Sequence, residues 1–332
     1  MTKKIFVTGA TGFIGSFIVE EALRQGYEVW AAIRKSSSLK YLSDERIHLL
    51  EVNLSDGKVL KKQLQSFDFD YVVHAAGVTK CLNSNDFFVV NVEGTKNLVS
   101  AIKENGMHIS KFVYISSLSV FGPVREKAPY TDILDSDTPM PDTAYGKSKL
   151  VAEEFLATQK DLPYVILRPT GVYGPREKDY FMMAKSIKGH TDFSVGYRPQ
   201  VLTFVYVKDV VQAVFKAFTQ GRVGASYFLS DGNEYTSRSF SDLIQKELGI
   251  KFLLRIKAPL WVLKIVTTCG ERIGHITGKV SALNNDKYNI MKQRNWRCDI
   301  SPARKELGYN PEYNLERGVK ETIKWYKDNN WL

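Results

Sequence analysis

The sequence predicts an α/β protein: a Rossmann-type doubly wound parallel sheet carrying a smaller, mostly helical C-terminal lobe. Three observations predict it. Short apolar runs alternate with helical patterns as far as about residue 170, which is the pattern of a parallel sheet covered by helices. The first run, Ile5-Phe-Val-Thr8, turns through Gly9, Gly12 and Gly15 into a helical pattern. From Gly171 onward the alternation loosens and helical segments dominate.

Ile5-Phe-Val-Thr8 is too short for a helix and is bounded by glycine, so it reads as a buried strand. Residues 16–25 follow with helical periodicity and stop at Gly26. A strand turning sharply through glycines into a helix presents bare N–H groups and the positive end of a dipole, a seat for a pyrophosphate. A Cβ would block the turn, the approach of the phosphate or the packing of helix on strand. Gly9, Thr11, Gly12, Phe13, Ile14 and Gly15 are therefore candidate cofactor contacts. Residues 1–170 become a dinucleotide-binding domain to which 208–231 return, and 171–207 with 232–332 a substrate-binding lobe.

Residues 27–33 read as the second strand. An acid at its end would bind the ribose 2′-hydroxyl of NAD. Here Ile33 is followed by Arg34-Lys35-Ser36-Ser37-Ser38. A carboxylate would repel a 2′-phosphate, whereas a guanidinium, an ammonium and hydroxyls would bind it. NADP(H) is expected in preference to NAD(H), with Arg34 as the main contact and Lys35 and Ser36 beside it. Residues 51–56 look like a third strand ending at the adenine, with Asn53 and Leu54 against the ring. Residues 71–77 form a fourth, whose small Ala75, Ala76 and Gly77 leave room for the cofactor backbone; His74 reads as a packed strand residue. A long helix is expected over 86–105 and a fifth strand over 111–117, with Ile115 facing the cofactor.

Pro139-Met-Pro-Asp-Thr143 stops extended chain and offers Asp142 or Thr143 as N-cap of a helix over 144–156. Residues 164–170 are the sixth strand, and Pro169, Thr170 and Val172 complete the cofactor contacts. Beyond it, helices are expected over 180–188, 208–218, 239–248, 259–277, 302–307 and 315–328, with strands over 201–207 and 225–230. Ligands in such sheets sit at the carboxyl ends of the strands, here under the lobe.

Tyr145 and Lys149 lie four apart on one helix and so share a face. A free phenol titrates near pH ~10. A nearby ammonium is expected to lower that value and make Tyr145 a general acid/base. Ser117, at the end of the neighbouring strand, can hydrogen-bond the reacting oxygen. These three could move a proton while a nicotinamide moves a hydride.

Thr8-Gly-Ala-Thr-Gly-Phe-Ile-Gly15, His74-Ala-Ala-Gly77, Asn91-Val-Glu-Gly-Thr95, Ser116-Ser117 and Tyr145-Gly-Lys-Ser-Lys149 resemble the extended short-chain dehydrogenase/reductase family, of the NAD(P)-dependent epimerase/dehydratase kind. The resemblance continues through Leu167-Arg-Pro169 and Val172-Tyr-Gly-Pro175 to Glu306-Leu-Gly-Tyr309 and Trp325-Tyr326. It implies Ser117, Tyr145 and Lys149 as catalytic residues, with Lys149 also holding the nicotinamide ribose, and it implies a homodimer. Sugar-nucleotide dehydratases of the family carry Thr-Asp-Glu where this chain has Ser117-Leu118-Ser119, so dehydration is not expected. Many nucleotide-sugar enzymes carry Asn where this chain has Gly171. Leu-Arg-Pro-x-Gly and Arg34 resemble instead the 3β-hydroxysteroid dehydrogenase and dihydroflavonol reductase branch.

The first functional expectation is an NADP(H)-dependent oxidoreductase interconverting a hydroxyl and a ketone on a largely apolar small molecule. The alternative is a nucleotide-sugar epimerase or reductase, and a third reading is a non-catalytic NADP(H) sensor. The net charge of +10 is concentrated late: residues 251–305 hold twelve Lys or Arg against three Asp or Glu. No nucleic-acid motif accompanies it, and Cys81, Cys269 and Cys298 lack metal spacing, which suits the cytoplasm. No signal peptide or membrane span is read. The helix over 259–277 is read first as packed on the core, and second as an apolar element meeting an anionic membrane or roofing the pocket. His275 needs no special role.

Overall fold

Strands buried on both faces need helices on either side, and the early apolar runs meet that condition. The computed structural model describes residues 2–278, 281 and 284–332. Lys4–Thr8 (β1) leads through the glycine turn into Phe13–Arg24 (α1), then Glu28–Ile33 (β2), Ile47–Glu51 (β3) and Gly57–Leu64 (α2). Tyr71–His74 (β4) is followed by Ser84–Phe87 (α3), a π-helical turn over Phe88–Glu93, and Gly94–Glu104 (α4). Lys111–Ile115 (β5), Ala144–Thr158 (α5) and Tyr164–Pro169 (β6) complete this half.

The lobe begins with Gly171–Tyr173 (β7), Asp179–Lys188 (α6), Thr191–Val195 (β8), Val201–Leu202 (β9) and Phe204–Tyr206 (β10). Val207–Thr219 (α7) and Ser226–Leu229 (β11) return to the sheet. Then come Tyr235–Thr236 (β12), Ser239–Leu248 (α8), Leu254–Ala258 (β13), Leu260–Thr277 (α9), Asn285–Lys292 (α10), Ser301–Leu307 (α11) and Leu315–Asp328 (α12).

The central sheet has seven parallel strands in the order β11-β6-β5-β4-β1-β2-β3. The chain runs outward from β1 to β3, then crosses back to place β4 on the other side of β1. Between β1 and β4 the connections diverge, which opens a crevice at the carboxyl ends. One sheet face packs on α1 and α7, the other on α2, α4 and α5. The lobe has its own aromatic core, in which the Tyr173 and Phe240 rings meet edge to face at 5.2 Å.

Several elements differ from expectation. The third strand is not at 51–56 but at Ile47–Glu51, where it pairs with β2 from Val29↔Ile47 to Ile33↔Glu51. Side-chain turn chemistry decides this: Asn53 Oδ1 accepts the Ser55 N–H at 3.1 Å, and Asp56 Oδ1 caps α2 by accepting from Lys58 and Val59. β5 stops at Ile115, two residues early, and a 3-10 turn over Leu118–Val120 follows Ser117. The helix expected over 86–105 carries the π-helical turn inside it. The strand expected over 201–207 divides into β9 and β10. Helices α2 and α10 and strands β7, β8, β12 and β13 were not legible as such.

His74 is fully buried, as expected of a packed residue, and it joins three elements. Its Nδ1 lies 2.6 Å from Thr8 Oγ1 and its Nε2 3.0 Å from Thr95 Oγ1. Thr95 donates its own proton to the Asn91 carbonyl, and Thr8 Oγ1 accepts the Ala76 N–H at 3.2 Å. That assigns a neutral imidazole with the proton on Nε2. Loss of solvation pushes its pKa down to about 3, against an ordinary 6.5. In the unfolded chain His74 binds a proton below pH 6.5, and in the folded one only near 3, so stability is lost as pH falls through this window. His74→Asn should therefore lose about 2–3 kcal/mol less unfolding free energy than the parent between pH 7 and 4.5 in urea titrations. Equal losses in both proteins would rule the residue out.

Candidate active site

The glycine turn at the end of β1 leaves no room for side chains. Gly9 has φ +69°, and a Cβ there would lie 2.6 Å from the Ala75 and Ala76 backbone; one on Gly15 would lie 2.1 Å from the Gly9 carbonyl oxygen. The Gly12 N–H closes the turn on the Gly9 carbonyl at 2.9 Å. No side chain caps the first turn of α1, so its N–H groups face the crevice. Arg176, at φ +76°, reaches this helix end from the lobe. Its guanidinium donates to Ser16 Oγ at 2.9 Å and to Glu20 at 2.5 Å, and stacks 4.3 Å from the Phe17 and Tyr41 rings. Its buried Nε has no partner among the described residues. Beside it a cavity of about 560 Å³ is lined by Thr11, Gly12, Phe13, Ser38, Lys40 and Tyr41, among others. Bare N–H groups, excluded Cβ atoms and a guanidinium fit the pyrophosphate of a dinucleotide.

Arg34, Lys35 and Ser36 form an exposed turn after β2, closed by the Ser37 N–H on the Arg34 carbonyl at 2.8 Å. Asn53 and Leu54 follow β3 rather than ending it, and the Leu54 carbonyl accepts from Asn97. Ala75 and Ala76 are pinned beside Gly9, and a Cβ on Gly77 would lie 3.2 Å from the Lys149 ammonium. Ile14, in the first turn of α1, packs on the core, and Val172 pairs with Val205. Pro169 and Thr170 line a second cavity described below.

Helix α5 begins where Thr143 Oγ1 accepts the Gly146 N–H at 2.9 Å, so of the two expected caps Thr143 is the one used. A second cap comes from far along the chain: the Asp286 carboxylate accepts the N–H groups of Ala144 at 3.0 Å and Tyr145 at 3.2 Å. Asn289 also donates to the Asp142 carbonyl at 2.7 Å. Asn91, presented by the π-helical turn, donates to Ser148 Oγ at 2.9 Å and accepts the Val78 N–H at 2.8 Å. The buried Arg168 clamps Glu153 of the same helix at 2.6 Å.

Tyr145, Ser117 and Lys149 converge at the carboxyl ends of β4 and β5. The Ser117 hydroxyl lies near the Tyr145 phenol and favours its ionised form, while Lys149 Nζ donates to the Ile115 carbonyl at 2.8 Å and lies over the Tyr114 ring. The expected lowering of the phenol's pKa is not what this arrangement produces. Loss of solvation pushes Tyr145 up to about 12, with only the Ser117 hydrogen bond opposing it. Burial likewise pushes Lys149 down to about 8, against the pull of Glu153. The lysine is committed to a carbonyl and a ring, so the phenol stays protonated and is poised to donate.

Above Ser117 lies a cavity of about 320 Å³ closed by the lobe. Its walls include Phe193, Leu202, Phe204, Phe240, Met291 and Trp296, and its polar groups are hydroxyls and the Gln200 amide. Among the described residues, no Lys, Arg, His, Asp or Glu lines it. Thr170 Oγ1, also on its wall, is buried without a partner among the described residues. Asp286, Arg176 and these lobe residues escaped the sequence reading. Only Arg176 carried a local signal, its place directly after Val172-Tyr-Gly-Pro175.

Residues 5–229 match the NAD dependent epimerase/dehydratase family. Among curated relatives, a putative UDP-glucose 4-epimerase of Methanocaldococcus jannaschii is 27% identical over 98% of this chain and 99% of its own. The 3 beta-hydroxysteroid dehydrogenase/Delta 5→4-isomerase of Mycobacterium tuberculosis is 24% identical over 97% and 90%. Human dTDP-D-glucose 4,6-dehydratase is 27% identical over 99% and 92%. Of solved structures, UDP-glucose 4-epimerase from Thermotoga maritima superposes with a TM-score of 0.79 at 22% identity, covering 98% of this chain and 99% of that one. These structures share the fold.

Asp286 tests how the lobe holds the proton donor. Asp286→Ala should lower kcat about tenfold, the loss of roughly one helix cap's free energy at the catalytic helix, and leave the cofactor KM within about twofold. Asp286→Asn, which still presents an acceptor, should recover part of it. Steady-state kinetics with both variants checks this, and an unchanged kcat in Asp286→Ala would remove the positioning role.

Proposed function

Because the chain belongs to the NAD-dependent epimerase/dehydratase family, within the extended short-chain dehydrogenase/reductases, we propose that it is an NADP(H)-dependent oxidoreductase interconverting a hydroxyl and a ketone on a largely apolar small molecule. The observation that carries this reading is the cavity above Ser117, whose larger side chains are mostly apolar, whose polar groups are uncharged, and which no charged side chain lines among the described residues. A nucleoside diphosphate would need cations there. Three cations near it are paired with carboxylates: Lys287 with Asp179, Lys292 with Asp142, and Arg297 with Asp132 and Glu234.

Reduced NADP supplies the hydride when bound. In the reductive direction the protonated Tyr145 gives its proton to the substrate oxygen as the carbonyl carbon gains the hydride, so one hydride and one proton balance the alcohol formed. Ser117 holds that oxygen through its hydroxyl. Lys149, which loses solvation before any ligand arrives, is the cation available to the phenolate left on Tyr145. Leu118 is buried and, among the described residues, no acid lines the cavity, which argues against expulsion of water.

A panel of hydrophobic ketones and sugar nucleotides, scored for NADPH oxidation, tests the reading. Hydrophobic ketones should be reduced; epimerisation of a sugar nucleotide without net cofactor change would replace it with the epimerase reading. Tyr145→Phe should cut turnover at least about a hundredfold while NADPH fluorescence titration shows unchanged binding; turnover like the parent's would sink the mechanism.

The turn after β2 bears on cofactor choice. Arg34→Ala should weaken NADPH binding about tenfold and leave NADH binding alone, as expected for one charge-assisted contact to a 2′-phosphate. Equal effects on both cofactors, or a parent that prefers NADH, would reverse the assignment.

A further inference from the structure

The helix α9 does not pack as a core helix. Of its eighteen residues only Leu263, Thr267 and Gly274 are buried, a strip along one side. The opposite side, at helical spacing, presents Trp261, Ile265, Val266, Ile273 and Ile276, with Ile276 85% and Trp261 67% exposed. Scattered apolar residues on a surface are ordinary, but a contiguous apolar face is not. The preceding strand extends it. Leu254 and Ile256 of β13 are exposed, as is Phe252 just before it at 71%.

Cations lie on and around this face. Lys251, Lys257, Lys264 and Arg272 are exposed, and none of them is paired with a carboxylate among the described residues. The helix holds a single acid, Glu271, and Asn285 of α10 donates to it. The face also adjoins the substrate cavity. β13 pairs with β8, whose Phe193 and Val195 line that cavity, with Ile256 opposite Phe193. On the other side α9 packs against α10, whose Ile290 and Met291 line it too.

We propose that α9 and β13 form a peripheral seat on an anionic phospholipid bilayer. Trp261 and the isoleucines enter the headgroup–acyl boundary, and Lys257, Lys264 and Arg272 meet lipid phosphates around it. The apolar face supplies partitioning and the cations supply preference for negative lipid, a combination that a water-facing or core-packed helix has no use for. The mouth of the apolar cavity then lies at the bilayer surface, where an apolar substrate is concentrated. That last consequence rests on the proposed function; the docking does not.

Vesicle sedimentation tests the docking without turnover. The protein should co-sediment with vesicles of phosphatidylcholine mixed with phosphatidylglycerol, and far less with phosphatidylcholine alone or in high salt. Trp261→Ser/Ile265→Ser should bind the mixed vesicles at least about tenfold more weakly. Lys264→Glu/Arg272→Glu should lose the preference for anionic lipid while keeping the parent's unfolding midpoint, so the test survives if the apolar pair alters folding. Failure of the parent to sediment with either vesicle overturns the proposal, as does parent-like binding by both variants. A doubled mass in light scattering that the Trp261→Ser/Ile265→Ser variant abolishes, without vesicle binding, would give the face to a second copy of the chain instead.

Discussion

The structure turns on a place where backbone meets backbone. Gly9 and Gly15 bring the end of β1 against Ala75 and Ala76 with no space for a Cβ on either glycine. That contact sets the first turn of α1 at the point where the sheet's connections diverge, and its uncapped N–H groups open into the crevice. The neutral His74 is part of the same constraint. Its bond to Thr8 leaves the threonine oxygen free to take the Ala76 N–H, so a buried histidine helps fix the wall of the dinucleotide seat.

Around this seat, burial does more than charge pairing to set proton affinities. Tyr145 and Lys149 stand one helical turn apart, as their spacing dictates, yet each is shifted mainly by loss of water: the phenol upward and the ammonium downward. Both shifts favour the neutral forms. A neutral phenol is the correct state for giving a proton to a carbonyl oxygen, and a lysine held on a backbone carbonyl has a fixed position from which to meet negative charge when it develops.

How much of this was legible in the sequence follows from how local each feature is. The glycine turn and the Thr143–Lys149 segment are local, and they folded as read. β3 was misplaced because it is an exposed edge strand with little apolar signal, while Asn53 and Asp56 impose turns that no hydrophobic pattern announces. Asp286 was invisible because its partner N–H groups lie over 140 residues earlier in the chain. The cavity was invisible for the same reason: Phe193, Phe240 and Trp296 come from separate elements with no shared period. The Tyr145 shift was misjudged because spacing reveals that two side chains can meet, but not whether either is solvated.

The small helix α10 draws these threads together. Asp286 caps the catalytic helix, Asn289 holds the residue before its N-cap, Lys287 pairs with Asp179 of α6, and Ile290 and Met291 face the substrate cavity. One eight-residue element therefore touches the helix that carries Tyr145, helix α6 and the cavity above Ser117 together. A substrate that shifts α10 would alter the capping of Tyr145 in the same movement, because the cap and the cavity wall are a single turn apart. Helix α9 packs against this element. Under the proposed function, one short element would thus bear both on the substrate and on Tyr145, although the residues concerned are far apart in the chain.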